Sequence, residues 1–150
     1  MTGAVDHLLH LVAIPSVSSM SNRPVIEYAA AQLDPNAWNT RLYPYRDPAG
    51  VEKLNLVAIS AGQGTHPAAE LLLVCHTDTV PFDSAWPEAV NPKVRKGKLY
   101  GRGSCDVKGF LACVLAAAVA ASAQAAEYGI PVMNQNRFLY YTGFYDQAKR

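Results

Sequence analysis

The sequence lacks the features that mark several common classes of protein. Its three cysteines form no CxxC pair and are odd in number, which argues against a disulfide framework. The net charge is only +1, and charged residues make up 17% of the chain, so no strongly basic surface is expected. We therefore expect no nucleic-acid partner and no anionic membrane partner.

Further absences concern export, catalysis and membrane insertion. Residues 1–7 contain neither the basic residues nor the long apolar core of a secretory signal peptide, so we expect a cytoplasmic location. The serines of the turn at 14–19 lie in no G-x-S-x-G motif, so a serine nucleophile is not predicted. The most apolar run, 109–121, is rich in alanine and short for a membrane span of about 20 residues, which favours a buried helix.

Hydrophobic periodicity predicts helices that alternate with strands. Helices are expected over 5–13, from a cap at Ser21 or Asn22 to Leu33, and over 109–126. Strands are expected over 38–43, 54–59, 71–75 and 137–142, with a hairpin at 93–100. This alternation is typical of the α/β class, so we predict a layered domain whose mixed sheet carries helices on both faces.

The histidines of the first half of the chain are expected at the surface. His7 and His10 lie three residues apart on the first helix, where partly solvated side chains are expected and a metal site is the less favoured alternative. His66 lies in the loop at 62–67 with no local carboxylate partner, so we expect it to be exposed. None of these histidines therefore becomes a candidate site residue.

The residues that suggest chemistry are concentrated in two segments about thirty residues apart. The first, 71–81, begins as a continuous apolar run of strand length and continues into His76 and Asp78. This pattern predicts a buried strand that delivers polar side chains at its carboxyl end, where open α/β sheets bind ligands. The second, 99–109, is a glycine-rich turn that leads through Asp106 into the apolar helix.

The residue types in these segments suit a zinc site. A neutral imidazole from His76 and a carboxylate from Asp106 are suitable direct ligands, and Asp78 is a suitable partner that holds the imidazole. Cys75 and Cys105 flank these residues, and thiolate ligation is an alternative to the expectation that the cysteines are small buried hydrophobes. Spacing alone leaves the assignment open.

The two segments resemble the H-x-D-x-V-P and G-R-G-x-x-D-x-K-G motifs of the zinc-dependent aminoacylase/carboxypeptidase family, which includes acetylornithine deacetylase and succinyl-diaminopimelate desuccinylase. Both motifs occur in the order and at the distance found in that family, with Trp86 between them. The resemblance implies a cytoplasmic metallohydrolase of amino-acid metabolism. Its substrate would be an acylamino acid, from which it removes the acyl group, or a dipeptide.

The resemblance also implies roles for individual residues. Two zinc ions, with cobalt as an alternative metal, would share the carboxylate of Asp106, and His76 would bind one of them. Asp78 would be the catalytic residue that fixes the tautomer of His76, and the peptide bond after Asp106 would be cis. The family takes its general base from a Glu-Glu pair after the helix, but the chain has no such pair, and Asp146 is a poor substitute.

We interpret residues 1–126 as the N-terminal part of the metallohydrolase catalytic domain and residues 127–150 as an atypical tail. The family's remaining ligands and its dimerisation domain, through which its members form homodimers, have no counterpart in the sequence. We therefore expect a truncated amide hydrolase that binds zinc weakly and shows no measurable turnover. The alternative is a non-catalytic α/β module, derived from such a hydrolase, that binds metal weakly or binds another protein.

Overall fold

The computed structural model describes residues 3–61, 71–128 and 138–142, with side chains described up to residue 123. Within these ranges the helices are α1 (Ala4–Ala13), α2 (Arg23–Ala31) and α3 (Gly109–Tyr128). The strands are β1 (Trp38–Arg46), β2 (Glu52–Ser60), β3 (Leu71–Cys75), β4 (Lys93–Arg95), β5 (Lys98–Tyr100) and β6 (Phe138–Thr142). A short 3₁₀ helix covers Pro87–Ala89, and a turn at Ser104–Lys108 leads into α3.

Four of the strands form a mixed sheet in the order β1-β2-β6-β3. The β1–β2 and β2–β6 pairs are antiparallel, whereas β3 and β6 are parallel, as the α/β prediction requires. Leu139 of β6 lies opposite Ile59 on one side and opposite Leu72 on the other. Residues 138–142, which fall in the segment interpreted as an atypical tail, thus occupy an internal position in the sheet.

The helices begin and end where their local sequence predicts. Pro15 follows α1, and the residue before a proline is disfavoured in a helix. Asn22 takes the N-cap position of α2, and Pro24 lies in the first turn, where a missing amide costs no helical hydrogen bond. The side chain of Asn22 does not cap the helix, however, because it bonds the backbone N–H and C=O of Leu54, each at 2.8 Å.

The hydrophobic core lies between the three helices and one face of the sheet. Residues from every described helix and from β2 and β3 are buried together there, among them Leu11, Val25, Ile26, Leu54, Leu56, Ala58, Cys75, Leu111 and Leu115. Helices are expected on both faces of the sheet; in the described part of the chain, α1, α2 and α3 all lie on this face. The sheet is therefore covered on one side by α1, α2 and α3.

The opposite face of the sheet carries apolar side chains that contact solvent. Ile59 of β2 is 40% exposed, and Leu72 and Val74 of β3 are 53% and 52% exposed. The prediction of a buried strand at 71–75 is therefore wrong, because Leu72 and Val74 lie on the face that no described helix covers, and only Leu73 and Cys75 pack into the core. In β1, Trp38 is buried and the next six residues are exposed, so the expected half-buried alternation is absent there.

The long apolar helix is part of the core. By length and composition alone, the segment Ser104–Ala123 could cross a membrane, a test that the core helix of a soluble protein also passes. Leu111 and Leu115 are fully buried against the other helices and the sheet. Phe110 and Cys113 of the same helix are exposed, so α3 is buried along one side only and the expectation of a buried helix is met in part.

Candidate metal site

His76 and Asp106 meet at one end of the sheet. His76 follows β3 directly, and Asp106 lies in the turn Ser104–Lys108 before α3. The Nε2 atom of His76 lies 3.0 Å from Oδ1 of Asp106, although thirty residues separate the two in sequence. The Asp106 side chain is 83% exposed, so its carboxylate is open to a ligand. The predicted convergence is confirmed.

Asp78 lies on the other side of the imidazole ring. Its Oδ1 atom is 3.2 Å from Nδ1 of His76, and its backbone carbonyl oxygen is 3.1 Å from the same nitrogen. Both partners are hydrogen-bond acceptors, so Nδ1 donates, and Nε2 is the ring nitrogen that faces Asp106. The prediction that Asp78 lies beside His76 is confirmed.

The short distance between His76 and Asp106 fits either a shared proton or a shared cation. In the tautomer that Asp78 selects, a nitrogen lone pair and a carboxylate oxygen face each other across 3.0 Å. Two acceptors this close need a proton or a cation between them. An imidazole nitrogen and a carboxylate oxygen are both donors that Zn²⁺ accepts, so the residues fit as two ligands of a zinc site.

The remaining ligands of such a site are not found in the described part of the chain. Within 3–61 and 71–123, no group of three His, Cys, Asp or Glu side chains is placed to hold a metal ion. A stable zinc site takes three or four protein ligands. His76 and Asp106 are therefore a partial ligand set.

The turn that carries Asp106 packs closely against the segment after β3. Gly103 has a φ of +80°, and a Cβ atom on it would lie 2.6 Å from Cγ2 of Thr79 and 3.2 Å from Cδ of Lys108. Only glycine combines this backbone conformation with this close approach. The Asp106–Val107 peptide bond is cis, which confirms what the resemblance implied.

Lys108 fastens the same turn to the end of α1. Its side chain is buried, and its Nζ atom donates a hydrogen bond of 2.7 Å to the backbone carbonyl of Ile14. Burial lowers the pKa of the Lys108 ammonium group to about 8. The lysine of the second motif is thus a structural anchor for the site.

Residues 16–18 run alongside residues 77–79 and complete the surroundings of His76. The Ser16 hydroxyl donates to the carbonyl of Thr77 at 2.8 Å, and the Thr79 N–H donates to the carbonyl of Ser16 at 2.8 Å. The Ser18 hydroxyl donates to Oδ2 of Asp78 at 2.6 Å. No sequence signal predicts this last contact, because a serine in a serine-rich turn gives no indication of a partner sixty residues away.

A small cavity opens beside Asp106. It has a volume of about 180 Å³ and is lined by Val80, Gly101, Arg102, Gly103, Ser104, Cys105 and Asp106. The Arg102 guanidinium lies over the Trp86 ring, 5.2 Å from its centre. This contact holds the loop that contains Trp86 next to the glycine-rich turn.

Several predictions for other residues need correction. His7 is fully buried, not partly solvated, because it lies in the contact between α1 and α2 with its Nδ1 atom 2.9 Å from the Tyr28 hydroxyl. His10 is exposed, as expected, and stacks on the Tyr28 ring with centroids 5.6 Å apart. His66 and Asp146 lie outside the described residues.

The cysteines differ from one another in burial. Cys75 is buried in the core, as predicted for a small hydrophobe. Cys105 and Cys113 are exposed, so the same prediction is wrong for them. Cys105 lies at the surface in the turn beside the cavity, and Cys113 lies on the side of α3 that faces away from the core. Thiolate ligation is not supported by a three-ligand group in the described ranges.

Comparison with known proteins gives one family. Residues 72–133 match the model of peptidase family M20/M25/M40, a range that includes both segments singled out above. The chain is 46% identical over 112 residues to acetylornithine deacetylase of Myxococcus xanthus, which is 75% of this chain and 29% of that protein. It is 38% identical over 113 residues to acetylornithine deacetylase of Proteus mirabilis (strain HI4320), with 70% of this chain and 28% of that protein covered.

Solved structures show the same fold. Human carnosine dipeptidase 1 superposes with a TM-score of 0.69 at 20% identity, over 97% of this chain and 32% of that one. The M20 family metallo-carboxypeptidase Sso-CP2 of Sulfolobus solfataricus gives a TM-score of 0.61 at 19% identity, over 95% and 30% of the two chains. The chain thus spans less than a third of each of these proteins. The two motifs, the fold and the sequence identity together show that the chain belongs to peptidase family M20/M25/M40 and corresponds to part of the length of these relatives.

Proposed function

We propose that the chain contributes part of the active site of a zinc-dependent hydrolase that cleaves the amide bond of an acylamino acid. The observation that carries the proposal is the meeting of His76 Nε2 and Asp106 Oδ1 at 3.0 Å, with Asp78 bonded to the far side of the ring. The identity to two acetylornithine deacetylases supports the reaction class. Dipeptides are the alternative substrate class, as the family resemblance of the two motifs implies.

The residues of the chain have separate tasks in this proposal. Asp78 accepts the hydrogen bond that Nδ1 of His76 donates and so leaves Nε2 to bind a metal ion. Asp106 supplies a carboxylate with two oxygens, of which one faces His76 and the other can serve a second ion. When bound, zinc polarises an amide carbonyl and lowers the pKa of water. Cobalt is the alternative metal.

The metal part of the proposal is tested by titration of the 150-residue chain with Zn²⁺ in a calorimeter. Two protein ligands leave most of the coordination to water, so we expect weak binding. His76→Ala and Asp106→Asn should each abolish the binding. His10→Ala is the matched control, because it removes an exposed imidazole from α1 and should leave the binding unchanged. Binding that survives in His76→Ala would contradict the site assignment.

The hydrolase part is tested in a chimera that contains the rest of an active site. The aligned 112 residues of the Myxococcus xanthus protein are replaced by those of this chain, and amine release from acetylornithine is measured. We expect turnover in the chimera and none after His76→Ala. A folded chimera that binds zinc and releases no amine would instead favour the non-catalytic module.

A further inference from the structure

We infer that Ser18 is a positioning residue for His76 and that it acts through Asp78. The inference rests on the proposed function, because it assigns Ser18 a part in preparing His76 to bind metal. Its basis is a chain of hydrogen bonds that runs from Ser18 to Asp78 and from Asp78 to the imidazole ring. Ser18 is not a catalytic residue, since Asp78 and His76 separate it from the open carboxylate of Asp106.

The two oxygens of Asp78 are divided between two partners. Oδ2 accepts the Ser18 hydroxyl at 2.6 Å, and Oδ1 faces Nδ1 of His76 at 3.2 Å. A carboxylate on a rotatable bond can turn away from a single partner, whereas one held at both oxygens has a fixed plane. The serine hydroxyl therefore fixes the direction from which Asp78 meets the imidazole.

The Ser18 hydroxyl has one proton and two acceptors within reach. Oδ2 of Asp78 lies at 2.6 Å, and the backbone carbonyl of Thr79 lies at 3.1 Å. The shorter contact goes to the charged acceptor, and hydrogen bonds to ionised groups are the stronger ones. The Thr79 carbonyl already accepts the Ser18 N–H at 2.9 Å, so the turn keeps its backbone bond without the hydroxyl.

The position of Ser18 itself is fixed by its surroundings. The fully buried side chain of Lys53 donates to the carbonyl of Ser18 at 2.7 Å and also to that of Met20. On the other side, Val17 pairs with Thr79 in an isolated parallel bridge. These contacts place the hydroxyl at a defined point beside Asp78, as a positioning role requires.

The test uses the 150-residue chain and the ring signals of His76 in ¹H–¹⁵N spectra, first without metal and then during titration with Zn²⁺. Ser18→Ala should release Asp78, so the Nδ1 proton of His76 exchanges faster with solvent and the zinc affinity falls by up to about tenfold, the lower end of the range for groups that orient metal ligands. Ser18→Thr keeps the hydroxyl and should restore both readouts. Ser19→Ala is the matched control, an exposed serine next in sequence that should change neither.

A double-mutant cycle tests whether Ser18 acts through Asp78. Asp78→Asn alone should weaken zinc binding, and adding Ser18→Ala to it should have no further effect, because the two residues work in one chain of contacts. If Ser18→Ala does not fold, Ser18→Cys decides, since a thiol is a weaker donor of similar size.

Three outcomes would overturn the inference: His76 signals in Ser18→Ala that match those of the original chain, equal losses in Ser18→Ala and Ser18→Thr, or additive effects of Ser18→Ala and Asp78→Asn. Failure of the proposed function is recognised separately. If the original chain binds no Zn²⁺ at His76, the metal proposal fails, while the exchange of the Nδ1 proton, measured without metal, still decides the role of Ser18.

Discussion

Similar side chains differ in burial between the two faces of the sheet. On the side covered by α1, α2 and α3, Leu56 of β2 is fully buried, whereas three residues along the same strand Ile59 points to the other side and is 40% exposed. Both side chains are aliphatic and of the same size. Their burial therefore depends on which elements cover each face, a property that neither residue encodes locally.

Polar groups follow the same division. On the covered side, the side chains of Ser16 and Asn22 are buried and bonded to the backbone of Thr77, after β3, and of Leu54, in β2. On the open side, Asn39 and Arg41 of β1 are exposed. The site end of the covered side is thus held by specific bonds in a buried setting, in which the loss of one partner is costly.

The largest expected effect comes from a truncation on the covered side. Leu56→Ala removes a fully buried side chain from the centre of the core, which leaves a cavity. We expect the free energy of unfolding to fall by about 2–5 kcal/mol. Denaturation with urea, followed by circular dichroism, measures the change.

Ile59→Ala is the matched control on the open side of the same strand. Because Ile59 already contacts solvent, we expect a loss below about 1 kcal/mol, as for substitutions outside the core. Equal losses for the two variants would show that the open face is covered in solution, and the contrast between the two sides would then fail.

A second pair of variants compares two glycines with the same backbone conformation. Gly103, beside the site, and Gly50, in the turn of the β1–β2 hairpin, have φ values of +80° and +81°. A Cβ on Gly50 would meet no atom within 4 Å, whereas one on Gly103 would lie 2.6 Å from the Thr79 side chain. Alanine at either position is strained by about 1–2 kcal/mol. We expect Gly103→Ala to cost about 1–3 kcal/mol more, from overpacking.

The unfolding free energies of the two glycine variants are measured against the original chain under the same conditions. Since the conformational strain is common to both, the difference between the two losses isolates the close packing of the turn against Thr79. A cost for Gly50→Ala as large as that for Gly103→Ala would mean that the turn beside the site is no more tightly packed than a surface hairpin.

The local sequence pattern predicted the helices and strands and the two segments that carry His76 and Asp106. The end of α1 before Pro15, the strand that leads to His76 and the turn that carries Asp106 all follow from spacing and residue type. The two motifs also indicated that His76 and Asp106 would meet. The meeting of His76 and Asp106, thirty residues apart, follows from the family resemblance, whereas the other successes concern residues whose neighbours in sequence determine their conformation.

The errors concern contacts between distant segments. The apolar run of β3 is consistent with a strand buried on both faces, yet Leu72 and Val74 are exposed because no described helix covers their face of the sheet. Ser18 contacts Asp78 only because residues 16–18 pair with residues 77–79, and no hydrophobic periodicity in the sequence indicates that pairing. His7 has the spacing of a surface residue on α1, but Tyr28 of α2 packs against it.

The smallest expected effect is a pH dependence of the unfolding free energy. It is caused by His7, which lies on the covered side of the sheet. Burial lowers the pKa of this imidazole below its ordinary value of 6.5; nearby Asp6 raises it in part, and His10 lowers it further. Below about pH 6.5 the unfolded chain therefore binds a proton that folded His7 resists, so stability falls as the pH decreases towards the folded pKa.

We expect His7→Gln to lose less stability than the original chain between about pH 7.5 and pH 5, measured by urea denaturation at each pH. Comparing each variant with itself at the two pH values cancels the constant cost of the lost contact with the Tyr28 hydroxyl. His10→Gln is the comparison variant: it removes the neighbouring imidazole that lowers the pKa of His7 further but leaves His7 buried, so it should keep most of the dependence of the original chain. If His7→Gln and the original chain lose the same stability on acidification, His7 is not held in its neutral form by burial, and the covered side would tolerate a charge as the open side does.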